Sequence, residues 1–393
     1  MGPELVGNIG YLAFRKEAVK GVVAGAPNVY VPLYNESMQT NANFVAQQPI
    51  YGGKHLTYAT LQGQRDHQGD FTILAEPNTS AIIADMFATK GTTTGAGPYT
   101  HPFDFSATAN PKSYTIDISL GNVVKRFWGF EISSFAPDFN DNEIRWAIKG
   151  SALGSFQART IKTIATNTLT LDTTYDPNPT LGLFAGDLVR VYKAATGAVL
   201  DTTVTSITNG TTVVLGGSAA AFAAGDILHL RPATPTFSLL PTFLWSKMQF
   251  YFGADATAAL AASQTRVETG STFEIMHPFE NDGGKKRSGG FDPASLVRLA
   301  SDATLTIKKF LNTPEDIQAW NDLSKKALVI RFLSGDANQY ELRVIFYNLT
   351  LDEASASIES NSVTYATESP KVNYDPTAGK AVAVTAINSL TTV

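Results

Sequence analysis

Two segments place a histidine close to an acid, His101-Pro-Phe-Asp104 and His277-Pro-Phe-Glu280. An imidazole held beside a carboxylate is the arrangement of a general base. The same string also suits a strand end entering a turn, because proline cannot donate to a ladder. Asp138-Phe-Asn-Asp-Asn-Glu143 begins like a calcium loop. It departs at the sixth position, where Glu143 replaces the turn glycine, and at the twelfth, where Lys149 replaces the bidentate glutamate, so an acidic β-turn is the simpler reading. The same carboxylates with Trp128 and Trp146 raise a glycosidase, in which paired acids flank a sugar held on aromatic rings. Acids at strand ends and tryptophans in β cores account for them more simply. The basic cluster Lys285, Lys286 and Arg287, flanked by glycines, suits contact with nucleic acid or with an acidic patch on a partner. Three charges give little affinity at physiological salt, so a solvated loop tip is the plainer account.

Other chemistries lack their residues. There is no cysteine, hence no disulfide framework, thiolate metal site or thiol nucleophile. No Walker loop, HExxH, GxSxG elbow or dinucleotide fingerprint occurs. The run KGTTTGAG at 90–97 follows a helical pattern instead of opening one and reads as a connector. A formal charge of -5 is the wrong sign for a general polyanion binder, and the 17% of charged residues falls below the usual quarter. Met1 to Glu17 lacks the basic start and apolar run of a secretory signal, and no stretch of 18 apolar residues occurs, so a soluble product made in the cytoplasm is expected. No cofactor, metal, membrane or enzymatic role is expected.

The elements that would position any site are mostly strands. Thr alternates with Val, Ile, Leu or Tyr in the period of a half-buried sheet. The segments 114–120 and 125–132 flank Gly121-Asn122, a hairpin signal. Comparable alternation covers 54–64, 69–75, 143–149, 243–252, 271–279, 303–310, 327–333 and 340–350. Two segments read as amphipathic helices. In 78–90, Ile82, Ile83, Met86 and Phe87 recur at helical spacing, with Asn78 or Thr79 as cap and Gly91 at the exit. In 313–326, Thr313 caps, Pro314 opens, and Ile317, Trp320 and Leu323 form a stripe. A mainly β (α+β) fold follows, a sandwich or barrel flanked by helix.

The middle of the chain repeats itself. Ile164 to Leu171 followed by Phe184-Ala-Gly-Asp-Leu-Val-Arg-Val191 is matched by Ile207 to Leu215 followed by Phe222-Ala-Ala-Gly-Asp-Ile-Leu-His-Leu230. Two copies of one strand-turn-strand unit make a small all-β domain, inserted over 161–232 and closed by the proline-rich 231–235. The rest divides into 1–160, 233–359 and a tail, 360–393, whose short side chains would not build a core alone.

The order of elements resembles that of the tail tube proteins of long-tailed, non-contractile bacteriophages. It is carried by Asn8-Ile-Gly-Tyr-Leu-Ala-Phe14 with Glu17, Val29-Tyr-Val-Pro-Leu33 with Glu36-Ser37, Gly69 to Pro77 leading into the first helix, and Tyr99-Thr-His-Pro-Phe103 leading into 113–116. A second half is carried by Asp302 to Phe310, the helix around Trp320, and Glu341 to Leu349. The resemblance covers roughly 1–155 and 236–360 as an overall pattern, and no single string is diagnostic. It implies a β-sandwich that stacks as rings, usually hexameric, into a hollow tube conducting double-stranded DNA without binding it. It further implies self-association, contact with a tape measure protein and with tail terminator and tail-tip proteins, and a place in the virion tail after assembly in the host cytoplasm. Under this reading 37–69 is an inter-ring arm, with Asn41, Phe44, Tyr51, Lys54 and Arg65 as contacts, and the termini, including a C-terminal arm at 360–393, are further contacts. The hairpin 112–132 is the best fit to the lumen, because Asp117, Ser119, Lys125 and Glu131 alternate with an apolar face. The insertion resembles the extra surface domains of some tube proteins. Contractile-tail and secretion-system tubes share the architecture. The rival reading is a secreted or surface β-protein that binds or cleaves glycans, the repeat acting as accessory sugar binder.

Overall fold

The computed structural model describes residues 10–23, 25, 27–47, 59–105, 112–140, 142–174, 176–237, 240–268, 270–279, 292–293, 295–296, 299–310, 325–334, 340–351, 354–357 and 365–393. In chain order the first elements are β1 (Tyr11–Lys16), β2 (Val29–Glu36), β3 (Gln39–Gln47), β4 (Ala59–Leu74), α1 (Pro77–Phe87), β5 (Thr89–Lys90), β6 (Tyr99–Asp104), β7 (Tyr114–Ser119), β8 (Val124–Asn140), β9 (Glu143–Ala152) and β10 (Gly154–Phe156). The middle holds β11 (Ala158–Ala165), β12 (Thr168–Leu171), β13 (Leu188–Tyr192), β14 (Val199–Asn209), β15 (Thr212–Leu215) and β16 (Ile227–Leu230). The last part holds β17 (Gln249–Gly253), α2 (Ala256–Ala261), β18 (Thr272–Met276), β19 (Asp302–Phe310), β20 (Lys326–Leu333), β21 (Glu341–Thr350), β22 (Ala354–Ser357), β23 (Tyr365–Glu368), β24 (Lys371–Asn373) and β25 (Val382–Asn388). The fold is mainly β, as the alternation requires.

Closure organises the first sheet. β1, β2, β4, β9, β8 and β7 pair in a ring, each antiparallel to its neighbours, so these strands keep no free edge where they meet. Phe14, Phe71, Phe130, Ile116 and Ile148 are buried in the large core that includes it. Gly121, at φ 93°, turns the β7–β8 hairpin where Gly121-Asn122 predicted one. Two of its strands outrun the ring. β8 continues onto β18, which leads to β19, β23 and β22, and β4 extends backward as a ribbon with β3. A second sheet, ordered β17-β20-β21-β25-β6-β5, closes the other side of the core. On its far face α2 lays Ala259 against Val329 and Ile345.

Helix α1 lies between these layers, and all eleven of its residues are buried, so the expectation of one buried face was too modest. Burying an Ile or Phe side chain stabilises by about 1.5–3 kcal/mol, so Ile82, Ile83, Met86 and Phe87 anchor both layers. The cap is Glu76 and not Asn78 or Thr79. Pro77 has no N–H and its fixed φ fits a first turn, which moves the boundary upstream. The Glu76 carboxylate accepts the backbone N–H groups of Asn78, at 3.1 Å, and Thr79. The helix ends at Phe87, with Ala88 extended and β5 following, so Gly91 is not its exit. Asp85 is wholly buried but paired, with Lys16 Nζ at 2.6 Å, the Tyr114 hydroxyl at 2.7 Å, and Lys112. The second predicted helix, 313–326, falls outside the described residues up to 324, and Lys326 opens β20.

The repeat folds into a second closed ring, β11-β12-β15-β14-β13-β16. Exchanging β11, β12 and β13 for β14, β15 and β16 leaves every pairing of this ring unchanged, a pseudo-twofold barrel made from the two sequence copies. The turns match as well. Asp187 accepts the N–H of Phe184 and Asp226 that of Ala223, each at 2.8 Å, after Gly186 and Gly225 at φ 99° and 92°.

The tail is not an arm. β25 lies inside the second sheet, between β21 and β6, so the chain itself holds its end. Short Val and Ala side chains suffice because the strand is paired on both edges and Val382, Val384 and Ala386 face the core beneath α1. Nearby, the Glu341 carboxylate accepts Arg331 Nη2 at 2.7 Å and Arg343 Nε at 2.8 Å. Burial pushes this carboxyl up, and the two guanidiniums outweigh it and leave it below the ordinary glutamate range. Such a group adds stability above its unfolded value and loses it as pH falls through the folded one. Glu341→Gln is therefore expected to lower the urea midpoint at neutral pH and to flatten its decline in acid. An acid decline as steep as the wild type's would refute the assignment.

Candidate functional site

His101 is engaged away from Asp104, and Glu280 of the second histidine motif lies outside the described residues. His101 is buried, with Nδ1 3.0 Å from the Thr93 hydroxyl and Nε2 2.9 Å from the Leu390 carbonyl, and burial lowers its pKa. His277 packs edge-on against Phe87 at 4.6 Å. Both serve the core. Asp138 and Glu143 lie on the strands flanking the β8–β9 turn, and Glu143 is taken by Arg145 and the Tyr34 hydroxyl. Among the described residues no cluster of His, Asp and Glu has the makings of a metal site.

The hairpin proposed for a lumen is largely interior. Asp117, Ser119 and Glu131 are buried, and Lys125 pairs with Glu36 at 2.9 Å. Their alternation with apolar residues marks internal ion pairs and not a wet face. At the centre is Arg126, whose guanidinium bridges the two barrels. Nε and Nη2 donate to Asp117 at 2.7 and 2.8 Å, Nη1 and Nη2 to Asp187 at 2.7 and 2.8 Å, and Nη1 also to the Gly182 carbonyl at 2.7 Å. All five N–H groups are used. Burial disfavours the charge, but Asp117 and Asp187 outweigh it and hold Arg126 protonated. Arg15 donates to the same Asp117, and the ring of Phe184 lies 4.7 Å from its guanidinium carbon and 5.0 Å from that of Arg126. Below them Trp128 is clasped between Gly154 and Gly182, where added Cβ atoms would fall 2.3 and 2.4 Å from the indole. The second barrel thus shares its core with Val124 and Trp128 of the first and with Phe156 of β10.

Two surface features stand out among the described residues. The first is the ribbon. β4 pairs with β2 and β9 only from His67 onward, while 59–66 pairs with β3 alone among the described strands. Eight residues at ~3.3 Å each carry it roughly 26 Å past the ring. Of the predicted arm contacts, Asn41 and Phe44 lie on β3, Tyr51 and Lys54 lie outside the described residues, and so do Lys285, Lys286 and Arg287. Arg65 is not an outward contact, since its guanidinium is turned to Asp176 and Asp292 of the same chain, each 3.8 Å away.

The second feature is a groove of about 390 Å³ over β3, β4, β9 and β8, lined by Ser37, Gln39, Asn41, Gln68, Asp70, Ser133, Lys149 and Ser151. Its one lysine faces Glu274 at 3.7 Å. Among the described residues no aromatic ring lines it, so it lacks the platform on which a sugar stacks. Sequence reasoning missed this face because its residues are spread over four strands. Comparison with family models and with curated proteins returns no match. No helix among the described residues is long and apolar enough to cross a membrane.

Removing Arg126 leaves the Asp187 carboxylate buried without its counter-ion and Asp117 with Arg15 alone, which costs about 3–5 kcal/mol. Arg126→Met is expected to lower unfolding stability by that order. The combined Arg126→Met and Asp187→Leu chain should recover most of it, because Arg15 still neutralises Asp117, and a double variant no more stable than the single one would count against the bridge as described.

Proposed function

We propose that this chain is a structural subunit that stacks, as rings of identical copies, into a tube of the kind found in the tails of long-tailed bacteriophages. The observation that carries the proposal is the ribbon. An isolated two-stranded ribbon is marginal in water, and strands this long with open edges are templates for another chain. A neighbouring copy is the partner that a homo-oligomer supplies everywhere around a ring. Residues 37–69 fit the role of the inter-ring arm, now with Arg65 at its root.

The polar groove supports the same reading. A duplex carries one charge per ~1.7 Å, and a wall of Gln, Asn and Ser whose single lysine is already paired offers no phosphate clamp. We assign the lumen to this face, in place of the buried hairpin. A tape measure protein, tail terminator and tail-tip proteins are the further partners in this proposal, with the virion tail as location and assembly in the host cytoplasm. Glycan binding draws no support from a groove without aromatics.

Purified protein is expected to form rings or tubes visible by negative-stain microscopy. Shortening the ribbon by replacing 42–65 with a two-residue turn should leave a folded monomer that does not stack. Stacks of the shortened chain, or a wild-type chain monomeric at high concentration, would end the proposal. Because the chain has no cysteine, Gln68→Cys gives a clean probe. In tubes it should react with a small maleimide and resist one carrying a bulky polymer, whereas equal reaction with both would move the lumen elsewhere.

A further inference from the structure

The ribbon leaves the first barrel beside the second. Asp176 lies in the loop between β12 and β13 and presents one carboxylate oxygen to two arginines, Arg159 of β11 at 3.1 Å and Arg65 of β4 at 3.8 Å. Its other oxygen accepts the N–H of Asn178 at 3.0 Å, which fixes the loop. Alongside, the Thr40 hydroxyl of β3 meets the Ser155 hydroxyl of β10 at 2.7 Å and His67 Nδ1 at 3.0 Å, and His67 Nε2 meets Asp292 at 3.0 Å. Both strands of the ribbon are thereby tied at their root, β4 to a barrel loop and β3 to the strand that feeds the barrel. The charges in contact are two guanidiniums and two carboxylates, with the four side chains between 13% and 25% exposed.

We propose that the second barrel is the buttress of the ribbon, with Asp176 as the positioning residue that sets its direction through Arg65. A ribbon pinned at one end by backbone pairing alone is free to swing about its exit. A charged tie to a body joined through Arg126 removes that freedom, and without Asp176 the Arg65 and Arg159 guanidiniums keep, among the described carboxylates, only Asp292 to offset their repulsion. The repeat domain then supports the assembly arm and is not a free appendage. Its importance for stacking rests on the tube reading, whereas the tie itself does not.

The test is hydrogen exchange on the unassembled full-length chain. Asp176→Asn keeps the acceptor for the Asn178 N–H and removes only the charge. It is expected to raise exchange in 39–47 and 59–66 by roughly tenfold while 188–192 and 143–152 keep their protection. Arg65→Ala should do the same, and the double variant should exchange no faster than Arg65→Ala alone. Unchanged ribbon exchange in Asp176→Asn, additive effects, or loss of protection spread through the barrel would each overturn the buttress. Absence of rings in the wild type would strike only the tube reading, because the exchange result is read without assembly.

Discussion

The fold depends on one buried cation. Two closed rings of strands have no shared ladder through which to hold each other rigidly, since closure uses the backbone groups that would pair across the junction. What joins them is Arg126, saturated by Asp117 from one ring and by Asp187 and Gly182 from the other. An isolated buried charge costs far more than a hydrogen bond returns, so each member requires the others. A bridge of this kind is stringent in geometry: a guanidinium fork meets two carboxylates in only one relative placement of the rings. Apolar contacts around Trp128 supply area, while the ionic bridge supplies register.

Closure also decides where edges are left. Within each ring the strands satisfy one another, and among the described strands the sheets end outward at β3 and β22 and at β17 and β5. β4 and β8 are long enough to leave the first ring at opposite ends, and their overhangs recruit β3 on one side and β18 with β19 on the other. Strand length beyond the ring thus converts a self-contained barrel into a unit with exposed ladders. The same logic explains the buried helix. Once a second sheet covers the core, α1 has no solvent side, and its single carboxylate, Asp85, is tolerated only because Lys16, Lys112 and Tyr114 reach it.

Much of this was legible from local pattern. Strand alternation located most ladders, Gly121-Asn122 located a hairpin, and the recurrence of Gly-Asp before an apolar run announced a barrel built twice from one unit. What misled was a pattern with two physical causes. Asp117, Ser119 and Glu131 alternate with apolar residues as a solvated strand face would, yet they meet counter-ions, hydroxyls and backbone inside the protein. Sequence gives the period of polar residues, and their partners come from strands far away. The C-terminal strand failed for the converse reason. Val382, Val384 and Ala386 look too small for a core, but a central strand between β21 and β6 needs little volume to be filled. The groove of Gln, Asn and Ser had no local signal, since it exists only when four strands lie side by side.

The buried hairpin and the polar groove concern the same constraint. Under the proposed tube function, a wall past which a polyanion slides has to be polar without offering fixed cations, and a junction between two barrels has to be charged and buried. One chain can meet both demands only by separating its charges, burying arginines in compensated networks and leaving amides and hydroxyls outside. Arg15, Arg126 and Arg159 are all buried or nearly so, each against carboxylates. The polar groove, by contrast, holds one lysine, already facing Glu274. Low overall charge is then a consequence of the architecture: cations are used as internal fasteners, and few remain on this surface to catch a phosphate.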